Sequence, residues 1–376
     1  MSSYCAGSSN VPPADKSQFD LSYEDIIDKI GYSELTVPRE PGKTGLRNPQ
    51  NNCFINVILQ VLLHTKKFSL IYSGSILKQF INTQNERGTR GVLTGSLSAL
   101  FNIYWSANYY SLNIQPILTI FANEIRKDFD GKTENSSINF VYYLINKLGE
   151  DTNRGVLEIM SNTFDKKSLP NFDEETIIEA GSDFLSQQRT YSSSIVTDLF
   201  TITSCSIINC NGCAQKTIAF QQQLYIRLVV KPENLNVDLF TLLERALEKS
   251  NVECHNCKQN TEQYTKLWQL PEIIIIEFER DTKQRPINYP IENLQMRQFL
   301  HPASPDNTKE TLFSLFGMIV HIGESFSSGH FISKLKNLVT EDWQLFDDAR
   351  IRMLDPDDVK VALKLSLHWL IIDSHI

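Results

Sequence analysis

Four cysteines constrain the fold of this chain more than any other feature. They form two Cys-x-x-Cys pairs, Cys210-Asn-Gly-Cys213 and Cys254-His-Asn-Cys257, separated by the stretch Ala214–Glu253. Two residues between cysteines is the spacing of a tight knuckle. Gly212 and Asn256 are expected to ease the turns. Two knuckles brought face to face supply four thiolates in a tetrahedron, the arrangement that suits a structural Zn²⁺. One pair alone would also suit redox chemistry, but two pairs within a β-rich stretch favour the metal. A four-sulfur shell leaves no open position, so the ion is expected to support folding and not to react. Any fold of this chain must bring the two knuckles together.

The other cysteines are Cys5, Cys53 and Cys205, making 7 in 376 residues, too few for a disulfide scaffold. The first twenty residues have neither a basic start nor an apolar h-region, so no signal peptide is expected there. No apolar run approaches the ~18 residues of a membrane span. These features predict a reduced intracellular setting, cytoplasmic and/or nuclear, without a membrane. Lys and Arg number 36 against 44 Asp and Glu, a net charge of −8, which argues against nucleic acid as a partner.

Along the chain, residues 1–17 are rich in Ser, Pro and Asn and read as a flexible lead. Tyr23–Tyr32 is expected as one short helix. From Gly45 to about Gly181 the apolar residues recur at helical spacing: Phe54, Val57, Ile58, Val61 and Leu62 form one face, and Phe140, Tyr143, Leu144 and Leu148 another. From Ser194 the pattern is β-branched. Strands are expected over Ser194–Ile208, Ile218–Val230, Pro271–Arg280, Phe313–His321 and Gly329–Leu335, with weaker ones at Trp343–Phe346 and Ser366–Ile372. Val237–Leu247 is a helix within this half. Helices first and strands later favour an α+β architecture.

Cys53 stands out from Cys5, in the lead, and Cys205, in an apolar strand. Pro49 and Asn51-Asn52 form a polar turn, and an amphipathic helix starts at once. In its first turn the dipole and unpaired N–H groups favour a thiolate. The same N–H groups, with a side-chain amide such as Asn48, can hold an oxyanion. A buried structural cysteine remains an alternative on this local evidence. A thiolate nucleophile needs a base, and of the 7 histidines His330 has the best context. It follows a turn, Ser327-Ser328-Gly329, and opens a strand, with His321 as a local rival. Downstream, Trp343-Gln-Leu-Phe346 leads into Asp347 and Asp348, at a distance that suits a hairpin returning a carboxylate to the imidazole.

Taken in order, these segments resemble the ubiquitin-specific proteases. Gly45-Leu46-x-Asn48…Asn51-x-Cys53-Phe54-x-Asn56…Leu59-Gln60 is similar to the family's Cys box. Ser327-Ser328-Gly329-His330-Phe331 with Trp343…Phe346-Asp347-Asp348 is similar to its His box. The paired cysteines, Leu270-Pro271 and Phe278-x-Arg280 lie in register between them. The resemblance implies a papain-like α+β fold shaped as a hand: a helical thumb over about residues 45–190, zinc-ribbon β fingers over 195–270 and a β palm over 271–376. Together these make one catalytic domain, 41–376, after a flexible lead, 1–40. It implies Cys53 as nucleophile, His330 as base, Asp347 as the orienting acid, Asn48 as oxyanion donor and Asp348 as a possible assistant. Cys210, Cys213, Cys254 and Cys257 would bind zinc. The reaction implied is hydrolysis of the bond after the C-terminal glycine of ubiquitin through a thioester, by a chain monomeric by default.

The sequence departs from the family pattern at several points. Where family members carry Gln-Gln-Asp-Ala-x-Glu-Phe on a thumb helix, this chain has Glu134-Asn135-Ser136-Ser137-Ile138-Asn139-Phe140, so Ser136 and Asn139 replace two acids that face ubiquitin's basic tail. A stiffer loop is expected from Gln50 in place of a Gly, and Asp281 replaces an aromatic. The first departure motivates a second reading, the same chemistry on a ubiquitin-like modifier. A non-catalytic ubiquitin-binding scaffold is a third.

Overall fold

The computed structural model of the chain describes residues 16–32, 34, 36, 40–155, 167–169, 173–231, 237–247, 249–280, 286–325, 328–360 and 366–374. Cys5, Asp281, Ser327 and half of the expected lead 1–40 lie outside them.

Helices dominate the first half. Gln18–Ile26 starts five residues before the expected helix, because Ser17 and Asp20 form a reciprocal capping box. Phe19, Ile26 and Ile30 join the helical core. The stretch expected as a flexible lead up to residue 40 therefore contributes Phe19, Ile26 and Ile30 to the core. Cys53–Leu63 follows, buried along its whole length, and packs with Val92–Trp105, Gln115–Glu124 and Ser137–Asp151 around Phe54, Phe68, Phe101 and Phe140. The polar stretch Asn82–Gly91 is tied down by the fully buried Asp151, which accepts from the Thr89 and Thr94 backbones and hydroxyls.

Two larger sheets occupy the second half. A five-stranded sheet runs Lys167–Leu169, Lys216–Gln223, Ile202–Asn209, Asn260–Gln269, Ser250–Glu253. An eight-stranded sheet runs Arg350–Met353, Trp343–Asp347, Ser328–Lys336, Leu312–Ser325, Ser366–Ser374, Ile273–Arg280, Ile226–Val230, with Leu294–Gln295 pairing onto Leu312–Ser325. The expected strand Ser194–Ile208 starts only at Ile202. Ser194 Oγ accepts from the Val196 and Thr197 N–H groups and turns the chain instead. The expected strand Ile218–Val230 is two strands in different sheets, broken at Leu224-Tyr225. Helix Leu239–Leu247 starts after Asp238, whose carboxylate accepts from the Thr241 N–H.

Strand Ile273–Arg280 shows how the halves join. Ile273 and Ile275 face the helical core, whereas Ile274, Ile276 and Phe278 face a second core under helix Leu239–Leu247. A strand buried on both faces reads as an unbroken apolar run. The result is the α+β, papain-like architecture expected. Among the described residues no single helix is long and apolar enough to cross a membrane.

Candidate active site and metal centre

Cys53 opens helix Cys53–Leu63 and is 7% exposed. The loop before it is held from several sides. Asn48 Oδ1 accepts from the Asn52 N–H at 2.9 Å. The Asn51 N–H donates to the Gly131 carbonyl and Asn51 Nδ2 to the Lys132 carbonyl. Asn52 Nδ2 donates to the Arg47 carbonyl and to Asn56 Oδ1.

His330 lies on strand Ser328–Lys336, and Asp347 ends the adjacent strand Trp343–Asp347. His330 Nε2 donates to Asp347 Oδ1 at 2.7 Å, since an ionised carboxylate can only accept. Nδ1 is then the nitrogen that addresses Cys53. The hydrogen bond with Cys53 is the largest influence on the imidazole; despite the opposing effect of burial, Asp347, Asp348 and Cys53 raise its pKa to about 9.

Asp348 does a different job from its neighbour. It has a left-handed backbone, φ 51°, which turns its carboxylate toward the nucleophile loop. Oδ2 accepts from Asn48 Nδ2 at 3.0 Å and Oδ1 from Asn56 Nδ2 at 2.8 Å. Its backbone carbonyl accepts from the Leu46 N–H. Burial raises its pKa, against those amide hydrogen bonds. Gly45 permits the approach: a Cβ there would lie 2.5 Å from the Ala349 carbonyl oxygen. The five expected residues, Cys53, His330, Asp347, Asp348 and Asn48, thus come together. Asn48 has two amide hydrogens; one is committed to Asp348, and an oxyanion role requires the other.

Three other histidines are placed elsewhere or differently. His64 is buried among Tyr104, Trp105 and Phe346. His301 accepts from the Ala303 N–H in a turn. His321, the local rival, packs at a tilt against Phe331 one strand away from His330, and burial lowers its pKa. It lines an open cleft of about 350 Å³ with Ser136, Arg227, Glu277, Phe278, Glu279, Arg280 and Phe331.

That cleft holds groups that sequence reasoning missed. Ser136 precedes helix Ser137–Asp151 without a side-chain capping bond, and Asn139 is exposed in its first turn. Glu277 and Glu279 face it from the sheet, with Glu277 paired to Arg227 at 2.7 Å. Two acids alternating within Ile273–Arg280 were a visible signal, but only strand pairing places them beside Ser136. Asn56 was likewise part of a motif without an assigned task.

The four expected metal cysteines converge at the tip of the five-stranded sheet, their sulfurs all within 4.8 Å of one another. Cys210 and Cys257 are 3.4 Å apart and Cys213 and Cys254 3.8 Å. Sulfurs around a tetrahedral zinc with Zn–S of about 2.3 Å lie ~3.8 Å apart, so the donor set fits zinc. Each knuckle closes with a Cys N–H to Gln carbonyl bond, Cys210 to Gln215 and Cys254 to Gln259. The left-handed residues are Ala214 and Lys258, at φ 57° and 63°, not Gly212 or Asn256 as expected. Gly212 instead makes room for the Gln259 side chain. Cys205 is buried in a strand, and desolvation pushes its thiol up to about 12.

Comparison with known proteins follows the same outline. The model of a family described as ubiquitin carboxyl-terminal hydrolase matches residues 44–366. Ubiquitin carboxyl-terminal hydrolase 32 of Drosophila melanogaster is 29% identical over 207 residues, covering 55% of this chain and 12% of that protein. Ubiquitin carboxyl-terminal hydrolase 2 of Bos taurus is 22% identical over 352 residues, covering 88% of this chain and 55% of that protein. The chain thus spans about half or less of these relatives' lengths. A solved chain of the SAGA Ubp8/Sgf11/Sus1/Sgf73 DUB module bound to ubiquitin aldehyde superposes with a TM-score of 0.63 at 18% identity, covering 95% of this chain and 76% of that one. That likeness concerns the fold.

Proposed function

The chain belongs to the ubiquitin carboxyl-terminal hydrolase family, and from that premise we propose that it is a deubiquitinase acting through Cys53. The observation that carries the reading is the relay Asp347–His330–Cys53 at the start of a buried helix. His330, raised to about 9, already holds the proton on Nδ1 near neutral pH, and Sγ attacks the carbonyl carbon of the C-terminal glycine of ubiquitin as the sulfur partner of that imidazolium. The Cys53 backbone N–H and the Asn48 amide receive the oxyanion. Asp347 holds the imidazole with Nδ1 toward sulfur, and Asp348 holds the Asn48 amide in place. The protonated His330 gives its proton to the leaving amine, which departs and leaves a thioester. His330 then activates water, the acyl–sulfur bond breaks, and ubiquitin leaves with a free carboxylate.

In this reading the helical part is the thumb, the five-stranded sheet the fingers and the eight-stranded sheet the palm. Zn²⁺ held by Cys210, Cys213, Cys254 and Cys257 fixes the finger tip and takes no part in the reaction. Both thiol sites require a reduced, intracellular setting.

The test is a panel of C-terminal electrophiles built on ubiquitin and on ubiquitin-like proteins. The expected result is one adduct on ubiquitin, absent in Cys53→Ala. A folded, zinc-loaded chain that reacts with no probe refutes the enzyme reading. Ser136 and Asn139, in place of acids, favour the second reading, a modifier with a less basic tail. If that contact matters, Ser136→Asp with Asn139→Glu raises cleavage of ubiquitin by about tenfold or more, since a charge-assisted bond is worth roughly 1.5–3 kcal/mol. Unchanged rates mean that other groups, with Glu277 and Glu279 foremost, read the tail.

A further inference from the structure

Glu34 lies before residue 44, where the family match begins, yet it reaches the loop that carries Asn48 and Cys53. Its side chain is only 3% exposed. Oε2 accepts from Arg47 Nη2 at 2.6 Å and Oε1 from the Asn113 N–H at 2.8 Å. Arg47 also donates from Nε to Ser111 Oγ at 3.1 Å. The two residues flanking the Glu34 carboxylate thus come from two different strands' ends, Gly45–Leu46 and Ser111–Leu112, which pair in parallel.

Arg47 is the residue before Asn48, and its backbone is a junction. Its N–H donates to the Leu112 carbonyl, and its carbonyl accepts from Asn52 Nδ2 at 3.0 Å and Asn56 Nδ2 at 3.4 Å. Asn52 immediately precedes Cys53. Asn56 is also a donor to Asp348. Any displacement of Arg47 therefore passes directly to both halves of the proposed oxyanion site.

Glu34 is itself anchored on both sides. Upstream, Ile26 and Ile30 are fully buried, and the Gly31 carbonyl accepts from the Tyr109 hydroxyl. Gly95 lies against Phe19 so closely that a Cβ there would overlap the Phe19 carbonyl. Downstream, Thr36 bridges to Tyr109. A short pairing such as Gly45–Leu46 with Ser111–Leu112 has little stability of its own, so a charge-assisted clamp across its end, from the buried Glu34 to the half-exposed Arg47, has a task to perform.

We propose that Glu34 is a positioning residue for the reaction: the segment before the family's core acts through the Glu34–Arg47 pair to hold Arg47, and through it the Asn48 amide and the start of the Cys53 helix. The proposal rests on the deubiquitinase reading for its effect on turnover, but not for its effect on the loop.

The experiment uses the full chain. Glu34→Gln keeps the size and the acceptor toward Asn113 and removes the charge from the Arg47 contact. Amide hydrogen exchange is expected to quicken at residues 47–53 and to stay unchanged in Ile273–Arg280. On a ubiquitin C-terminal amide, kcat is expected to fall about tenfold with KM held, because the loss lies in a transition-state contact. In a cycle with Arg47→Gln the two effects on exchange and on kcat are less than additive. Glu24→Gln, which breaks only an exposed pair with Lys16 on the same segment, leaves all readouts unchanged. Unchanged exchange at residues 47–53 in Glu34→Gln overturns the proposal, as does strict additivity with Arg47→Gln. A chain that shows the exchange effect but cleaves no probe upholds the clamp and overturns the deubiquitinase reading instead.

Discussion

At the residue scale, adjacent carboxylates with different partners take different roles. Asp347 touches the imidazole, whereas Asp348 holds two asparagine amides of the nucleophile loop and lies 3.8 Å from His330 Nε2. Asp347→Ala is expected to lower kcat by roughly 10²–10⁴-fold, the usual range for losing the orientation of a general base, with little change in folding. Asp348→Ala removes the side-chain acceptor of the Asn48 amide and one of the acceptors of the Asn56 amide, and is expected to lower both kcat and Tm. Equal loss of Tm in the two variants would contradict this division. His330 adds a pH dependence with a definite sign. Its partners raise its folded pKa from 6.5 to about 9, so the stability it draws from them is complete below about pH 6.5 and is lost as pH rises through about 9. The Tm difference between the chain and His330→Gln should narrow across that window; a constant difference would refute it. Cys53, His330 and Asp347 are legible in the sequence because each sits in a short local motif. The amide contacts from Asn48 and Asn56 to Asp348 join opposite ends of the chain, and no local pattern announces them.

At the element scale, the knuckles show what spacing reveals and what it hides. The pairing of the two Cys-x-x-Cys segments follows from the donor set. The residues that adopt the left-handed turn do not, because backbone closure by Gln215 and Gln259 puts the strain just after each second cysteine. The tip also lacks a hydrophobic core of its own: the buried cluster of this sheet gathers around Trp268, Phe220 and Ile218, and only Cys210 and Cys254 are buried among the four ligands. Zinc should therefore hold the tip. Freshly purified chain is expected to carry about one zinc, and removal by a chelator is expected to weaken the finger sheet by several kcal/mol, given the large binding free energies of structural zinc. Hydrogen exchange should quicken in Ile202–Asn209 and Asn260–Gln269 while helix Cys53–Leu63 stays protected. Protection unchanged after metal loss would refute a structural role. The strand Asn260–Gln269, absent from the sequence reading, explains a related limit: its alternation is polar and half exposed, so hydrophobic periodicity gives it no signal.

At the scale of the whole molecule, the proposed nucleophile and base belong to different bodies. Cys53 starts a helix of the helical core, and His330 and Asp347 come from the eight-stranded sheet. The order of helices before strands is legible in the sequence. The division of the strands between two sheets is not, because pairing joins segments far apart in the chain and only the three-dimensional fold selects it. His64 sits at the seam. It follows the Cys53 helix and packs on Tyr104 and Trp105 from one side and on Phe346, the neighbour of Asp347, from the other, with ring centroids 4.9 Å apart in the last case. Its Nδ1 lies 2.8 Å from the Gln60 carbonyl, which can only accept, so Nδ1 carries the proton. Full burial lowers its pKa from 6.5 to about 4. The ring is therefore neutral in the fold and takes a proton more readily when unfolded. The unfolded chain gains that proton first as pH falls below 6.5, and stability falls until the folded pKa is reached near 4. The contribution is about 3 kcal/mol over that range, at 1.36 kcal/mol per pH unit. Urea unfolding at pH 7, 5.5 and 4.5 should show the chain losing stability toward acid more steeply than His64→Asn, which keeps a donor near Gln60 but carries no titrating ring. Parallel slopes would mean that the seam does not sense acid through His64. Because the seam joins the helix of Cys53 to the strand of Asp347, the same acid step should also separate the proposed nucleophile from its base, and activity should fall with stability and not before it.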